Sequence, residues 1–87
     1  METTEIAQKI GEFIRSRFAV DPTDAEFGAD VHIFDYGYVD SFGAVELTEF
    51  VESSFGITIS NSDLVLYPMN TINEIAGFVT ARQKREC

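Results

Sequence analysis

A small all-α fold, a four-helix bundle, is predicted by three observations. Three segments of the 87-residue chain carry apolar residues at three- and four-residue spacing. A fourth, shorter segment carries helix start and stop signals, and no run alternates long enough to build a sheet. A chain of this length holds one small core, so a single domain over residues 1–87 is expected.

The first helix is placed at about residues 4–18, where Ile6, Ile10, Phe13, Ile14 and Phe18 share one face. Thr3 or Thr4 can cap its start, and Glu5 suits its first turn. Arg15 and Arg17 stand near its end, where cations complement the dipole. Ala19 to Val39 has no sustained period and is punctuated by Pro22, Gly28 and Gly37, which makes it a long loop. Loops of this length carry function or pack by their own side chains, and Phe27, Val31, Ile33 and Phe34 are the expected anchors.

The second helix is expected at 41–55, capped by Asp40 and ended by Gly56. Ile57 to Ile59 is too short for a convincing strand. A short third helix follows at 61–66, capped by Ser60 or Asn61 and stopped by Pro68. The last helix, 71–84, opens with the capping box Thr71-x-x-Glu74 and shows the stripe Ile72, Ile75, Ala76 and Val79. Arg82, Lys84 and Arg85 fall at its C-terminal end.

Composition removes several function classes. Six Lys and Arg stand against fifteen Asp and Glu, a net charge of −9, which opposes binding to nucleic acid or to an anionic membrane surface. Partners should instead present basic patches. So many carboxylates are expected to repel one another and to bind protons more readily than usual. The one cysteine, Cys87, allows no internal disulfide and suits a reducing, cytoplasmic setting. The acidic start is unlike a signal peptide, and no apolar run approaches the ~18 residues of a membrane span. A calcium loop is excluded by spacing, and the lone His32 has no second His, and no Cys near it in the sequence, to share a metal with.

The second helix breaks its own pattern. At about 100° per residue, Gly43, Ala44, Leu47, Phe50, Val51 and Phe55 gather on the inner side. Ser41, Phe42, Val45, Glu46, Glu49 and Glu52 gather on the other. Phe42 and Val45 are thus apolar residues within an acidic rim, the composition of a protein docking surface. Ser41 begins the helix at the exit of the long loop. No G-x-S-x-G elbow supports it as a hydrolytic nucleophile with His32, whereas a phosphate on its hydroxyl would suit the helix N-terminus.

The run Phe34-Asp35-Tyr36-Gly37-Tyr38-Val39-Asp40-Ser41-Phe42-Gly43-Ala44-Val45-Glu46-Leu47 resembles the modification site of acyl carrier proteins, and Phe55-Gly56-Ile57 is similar to the Phe-Gly-Ile that follows helix two in that family. The resemblance covers nearly the whole chain and implies a four-helix bundle with a long first loop and a short third helix. It implies that Ser41, next to Asp40, accepts 4′-phosphopantetheine from coenzyme A, whose thiol then holds an acyl or aminoacyl group as a thioester. Phe42, Val45, Glu46, Glu49 and Glu52 would meet a phosphopantetheinyl transferase, an acyl- or aminoacyl-loading enzyme and downstream biosynthetic enzymes. The chain itself would catalyse nothing and would act as a free-standing monomer. Phe42 stands where leucine is usual, Gly43 follows it at a helix-propensity cost of about 1 kcal/mol, and Glu49 replaces a residue that is often apolar. These departures look more like discrete carriers of specialised metabolism, such as polyketide or aminoacyl carriers, and are similar to D-alanyl carriers too. The alternative is a carrier-like adaptor that binds a partner through its acidic second helix without being modified.

Overall fold

In the computed structural model, which describes residues 3–21 and 23–86, four helices form: α1 (Thr3–Arg17), α2 (Ser41–Phe55), α3 (Asn61–Leu66) and α4 (Ile72–Glu86). No strand occurs among the described residues, so the chain is the small helical bundle expected. Met1, Glu2, Pro22 and Cys87 lie outside the described residues, as do the side chains of Arg85 and Glu86.

Ile6, Ile10 and Ile14 form the single inward stripe of α1, each fully buried. The helix packs along α4, with the Thr3 and Thr80 hydroxyls 2.9 Å apart at one end and Gly11 against Ile72 at the other, so the two run antiparallel. On its other flank Phe13 stacks on Phe50 of α2 at 4.1 Å between ring centroids. Leu47, Val51 and Phe55 of α2 and Ile75, Ala76 and Val79 of α4 complete the centre.

Each helix end has its own chemistry. Thr3, expected as a possible cap, is the first helical residue, and its hydroxyl is turned to Thr80. α1 ends in a Schellman turn: the Val20 amide donates to the Arg15 carbonyl, with Ala19 left-handed at φ +52°. Gly56 at φ +65° closes α2. Ser60 and Asp63 form a reciprocal capping box for α3. Tyr67 ends that helix in extended conformation, as the residue before Pro68 must. Glu74 accepts the Thr71 amide at 3.1 Å while the Thr71 hydroxyl accepts the Glu74 amide.

Residues 18–40 hold themselves in place from both ends. Phe27, Ile33 and Val39 are buried, with Val31 and Phe34 packed more loosely beside them. The Ile33 amide donates to the Asn70 carbonyl, the Asn73 amide to the Ala29 carbonyl, and the Asn73 side chain to Asp30. Arg15 lies over the Phe27 ring, 4.6 Å from its centroid, so its role extends beyond complementing the helix dipole.

Gly43 is the position where backbone approach is closest. A β-carbon there would lie 2.7 Å from the tip of the Phe18 ring and 3.0 Å from a Val39 methyl, so the ring would have to shift and the methyl to give. Its helix-propensity cost of about 1 kcal/mol is therefore accepted for the seating of α2. Gly43→Ala should lower the melting temperature despite the better helix former, because overpacking costs typically about 1–3 kcal/mol. Gly77→Ala, in α4 with nothing within 4 Å of the new carbon, should raise it by a few degrees. Paired thermal melts check both.

The expected general rise in proton affinity of the carboxylates is corrected by Asp63 and Asp21. Asp63, buried between α3 and α4, is held below the ordinary value of 3.8 by the Ser60 amide first, then by Arg82 at 2.6 Å, against an opposing effect of burial. Asp21 is likewise lowered by the Thr23 amide and hydroxyl. A carboxylate with a lowered folded pKa gives stability that is complete above the unfolded value and lost as pH falls through the folded one. Stability should therefore drop below about pH 4. Asp63→Asn should flatten that acid limb while lowering the neutral-pH melting temperature, as read from melts across pH 2–7.

Candidate functional site

The start of α2 is built by a cap, a seat and a loop. Asp40, extended at φ −96°, accepts the Gly43 amide on its carboxylate at 2.7 Å and the Ala44 amide on its carbonyl at 2.8 Å. The amides of Ser41 and Phe42 are left without partners among the described residues. Ser41 is the first helical residue and is exposed, and its hydroxyl makes no hydrogen bond with any described side chain.

Behind it the loop is firmly held. The Val39 amide donates to the Ile33 carbonyl, and the Gly37 amide to the Phe34 carbonyl, with Gly37 at φ +78°. The Tyr38 hydroxyl donates to Asp24 at 2.9 Å, and its ring meets Phe27 edge-on. Burial, then the hydrogen bond to Asp24, pushes the Tyr38 phenol up to about 12, so it stays a donor throughout the physiological range.

His32 is not part of this arrangement. Its Nδ1 accepts the Asp35 amide at 3.0 Å and its Nε2 faces the Asp35 carboxylate at 3.8 Å. No hydrogen bond joins it to Ser41, so these two residues do not form a nucleophile–base pair.

Phe42 is 84% exposed and Val45 59%, so both apolar side chains face outward beside Ser41. The three glutamates differ from one another. Glu46 accepts from the Arg17 guanidinium at 2.8 Å, and Glu52 accepts the Ile59 amide at 2.8 Å. Glu49 is exposed and has no side-chain partner among the described residues. The acidic rim is thus one unengaged carboxylate and two already in use. Arg17 was missed as a member of this face because its contact with Glu46 joins two helices far apart in the chain.

Alongside the face lies a cleft of about 450 Å³. Phe34, Val45, Leu47, Leu64, Met69 and Ile75 give it an apolar interior, and Glu49, Asn61 and Asn70 add polar groups.

The helical bundle thus presents an exposed serine, without a side-chain partner among the described residues, at a capped helix start with outward apolar residues next to it. The family model described as "Phosphopantetheine attachment site" matches residues 8–79, and the chain belongs to this family of carrier proteins. It is similar to the D-alanyl carrier protein of Streptococcus sanguinis, 34% identical over 76 residues, which cover 87% of this chain and 92% of that protein. It is also similar to those of Bacillus velezensis, 41% identical over 51 residues and 59% of the chain, and Bacillus pumilus, 43% over 47 residues and 54%. The chain spans only 65% and 60% of the length of those two proteins. The expectation of a carrier of specialised metabolism finds no support in these relatives. Among the described residues no helix is long and apolar enough to cross a membrane.

The prosthetic group of the family is 4′-phosphopantetheine, and the site fits it. An accessible hydroxyl is needed for the phosphodiester, and free amides at the positive end of α2 suit its anion. Asp40 keeps those amides aimed by capping the turn. Asp40→Ala should lower stability by about 1 kcal/mol. Asp40→Asn should retain most of it, since asparagine caps equally well. Chemical denaturation of the two variants measures the difference.

Proposed function

We propose that Ser41 is the attachment residue and that this chain carries small aminoacyl groups to biosynthetic enzymes. The observation that carries the first part is the Ser41 hydroxyl itself: exposed, without a described partner, and beside the free amides of a capped helix start. When bound, the arm supplies a terminal thiol that holds the cargo as a thioester. The protein's contribution is to fix the position of Ser41, keep water-exposed apolar residues at its side and offer charge to approaching enzymes.

Two observations support an aminoacyl cargo over a long aliphatic one. The relatives are D-alanyl carrier proteins by name. The lining of the cleft beside α2 includes Glu49, Asn61 and Asn70, exposed polar groups that suit an ammonium group. The partners on this reading are a phosphopantetheinyl transferase, an amino-acid-activating loading enzyme and an enzyme that accepts the cargo, each with a basic surface toward Phe42, Val45 and Glu49. Localisation in the cytoplasm, where coenzyme A is available, follows from the same reading.

Incubation with coenzyme A and a broad-specificity phosphopantetheinyl transferase should add one arm, seen by intact mass, and Ser41→Ala should stay folded and accept none. Modification persisting in that variant would move the site elsewhere, and none in the parent would leave the unmodified adaptor as the function. The mass of the form isolated from its own cells should show an aminoacyl adduct. A long acyl adduct there would overturn the cargo assignment.

A further inference from the structure

We infer that Arg17 is a specificity-determining residue of the α2 face: it occupies Glu46, and a basic partner aimed at that carboxylate has to displace it. This rests on the reading of α2 as the surface that meets the arm-transferring enzyme.

The geometry is direct. Arg17 projects from the last turn of α1 and its Nη2 donates to Glu46 Oε1 at 2.8 Å. Both side chains are open to solvent, at 56% and 40% exposure. Exposed ion pairs contribute little to stability, so the bundle does not depend on this one. By helical period Arg17 continues the stripe of Ile6, Ile10 and Ile14, but it stands in solvent in the last turn, and the three buried isoleucines seat α1 without it. What the pair does change is the field over the face. A guanidinium at hydrogen-bond distance cancels most of the Glu46 charge, well within a screening length of about 10 Å at 0.1 M salt.

The neighbouring glutamates sharpen the effect. Glu52 already holds the Ile59 amide, which leaves Glu49 as the carboxylate of the three without a side-chain partner among the described residues. An incoming lysine or arginine therefore meets full charge at Glu49 and a neutralised, competing pair at Glu46. Partners whose basic groups align with Glu49 and whose apolar groups meet Phe42 and Val45 are favoured. Those that need Glu46 associate more slowly.

The test uses the full chain with a broad-specificity phosphopantetheinyl transferase. The association rate is measured without coenzyme A, and kcat/KM for arm transfer is measured with it, each across sodium chloride concentration. Arg17→Gln should raise both about two- to fivefold at low ionic strength, with the gain disappearing at high salt. Glu46→Gln should have less effect than Glu49→Gln in the parent, and in the Arg17→Gln background it should remove the gain. Melting temperatures should stay unchanged throughout. Equal rates for the parent and Arg17→Gln, with arm transfer to Ser41 intact, overturn the inference alone. A slower Arg17→Gln also overturns it, because Arg17 would then be a direct contact of the enzyme. Failure of every variant, the parent included, to accept an arm would overturn the carrier reading and this inference with it.

Discussion

The contact on which the rest of the molecule depends is the seat of α2 on Phe18 and Val39. Phe18 is fixed by the Schellman turn that ends α1. Val39 is fixed by the hydrogen bond that its amide donates to the Ile33 carbonyl, and the Ile33 amide in turn donates to the Asn70 carbonyl just before α4. The end of α1 and the end of the long loop therefore meet at Gly43, where a β-carbon would force the Phe18 ring to shift. Ser41 and Asp40 take their positions from that convergence. The position of the candidate site is set by packing two residues further along, not by any side chain that Ser41 itself touches.

The acidic composition has a structural use that charge counting does not reveal. A long loop has no helix or sheet ladder for its amides, and each unpaired buried amide is costly. Asp21, Asp24, Asp40, Glu52, Asp63 and Glu74 each accept a backbone N–H, mostly within a few residues in sequence. Such short-range acceptors shape turns and caps, as Asx turns do at Asp21 and Asp24. Part of the carboxylate content is thus local scaffolding, which also explains why Asp21 and Asp63 hold their protons less tightly rather than more. What is left for partners is a smaller and more selective field than a net charge of −9 suggests.

The parts legible in the sequence are the ones governed by near neighbours. The stripes of α1 and α4, the capping box at Thr71 and the glycine that ends α2 all depend on residues within one or two turns. The outward placement of Phe42 and Val45 is legible for the same reason, because helical period alone puts them opposite Leu47 and Val51. Ser41 stands out only through its surroundings and its resemblance to a known site, since an Asp-Ser pair has no chemistry of its own. Gly43 reads as a helix penalty because its reason lies in Phe18, across the long loop. Arg17 reads as a dipole partner because Glu46 is a residue of another helix. Likewise, nothing in the spacing of Glu52 and Ile59 announces that a side chain on α2 holds the backbone leading to α3.

α3 shows how far a polar contact can substitute for a core. Leu64, Val65 and Leu66 are exposed, and the one buried residue of this helix is Asp63. Six residues are far too few to be helical by propensity, since isolated helices need roughly 12–15. The segment is therefore held by what Asp63 binds: the Ser60 amide and hydroxyl at one end and Arg82 of α4 at the other. Arg82 is itself laid over the Phe78 ring, which limits its freedom to leave. Since Asn61 and Leu64 form part of the cleft beside α2, one wall of that cleft belongs to a helix held by a carboxylate. Burial of leucine and valine would fix such a wall more stably, at about 1.5–3 kcal/mol for each side chain buried. It would also withdraw from the surface Leu64, which lines the cleft together with Val45. A wall tethered by charge keeps that residue outside while still closing the bundle.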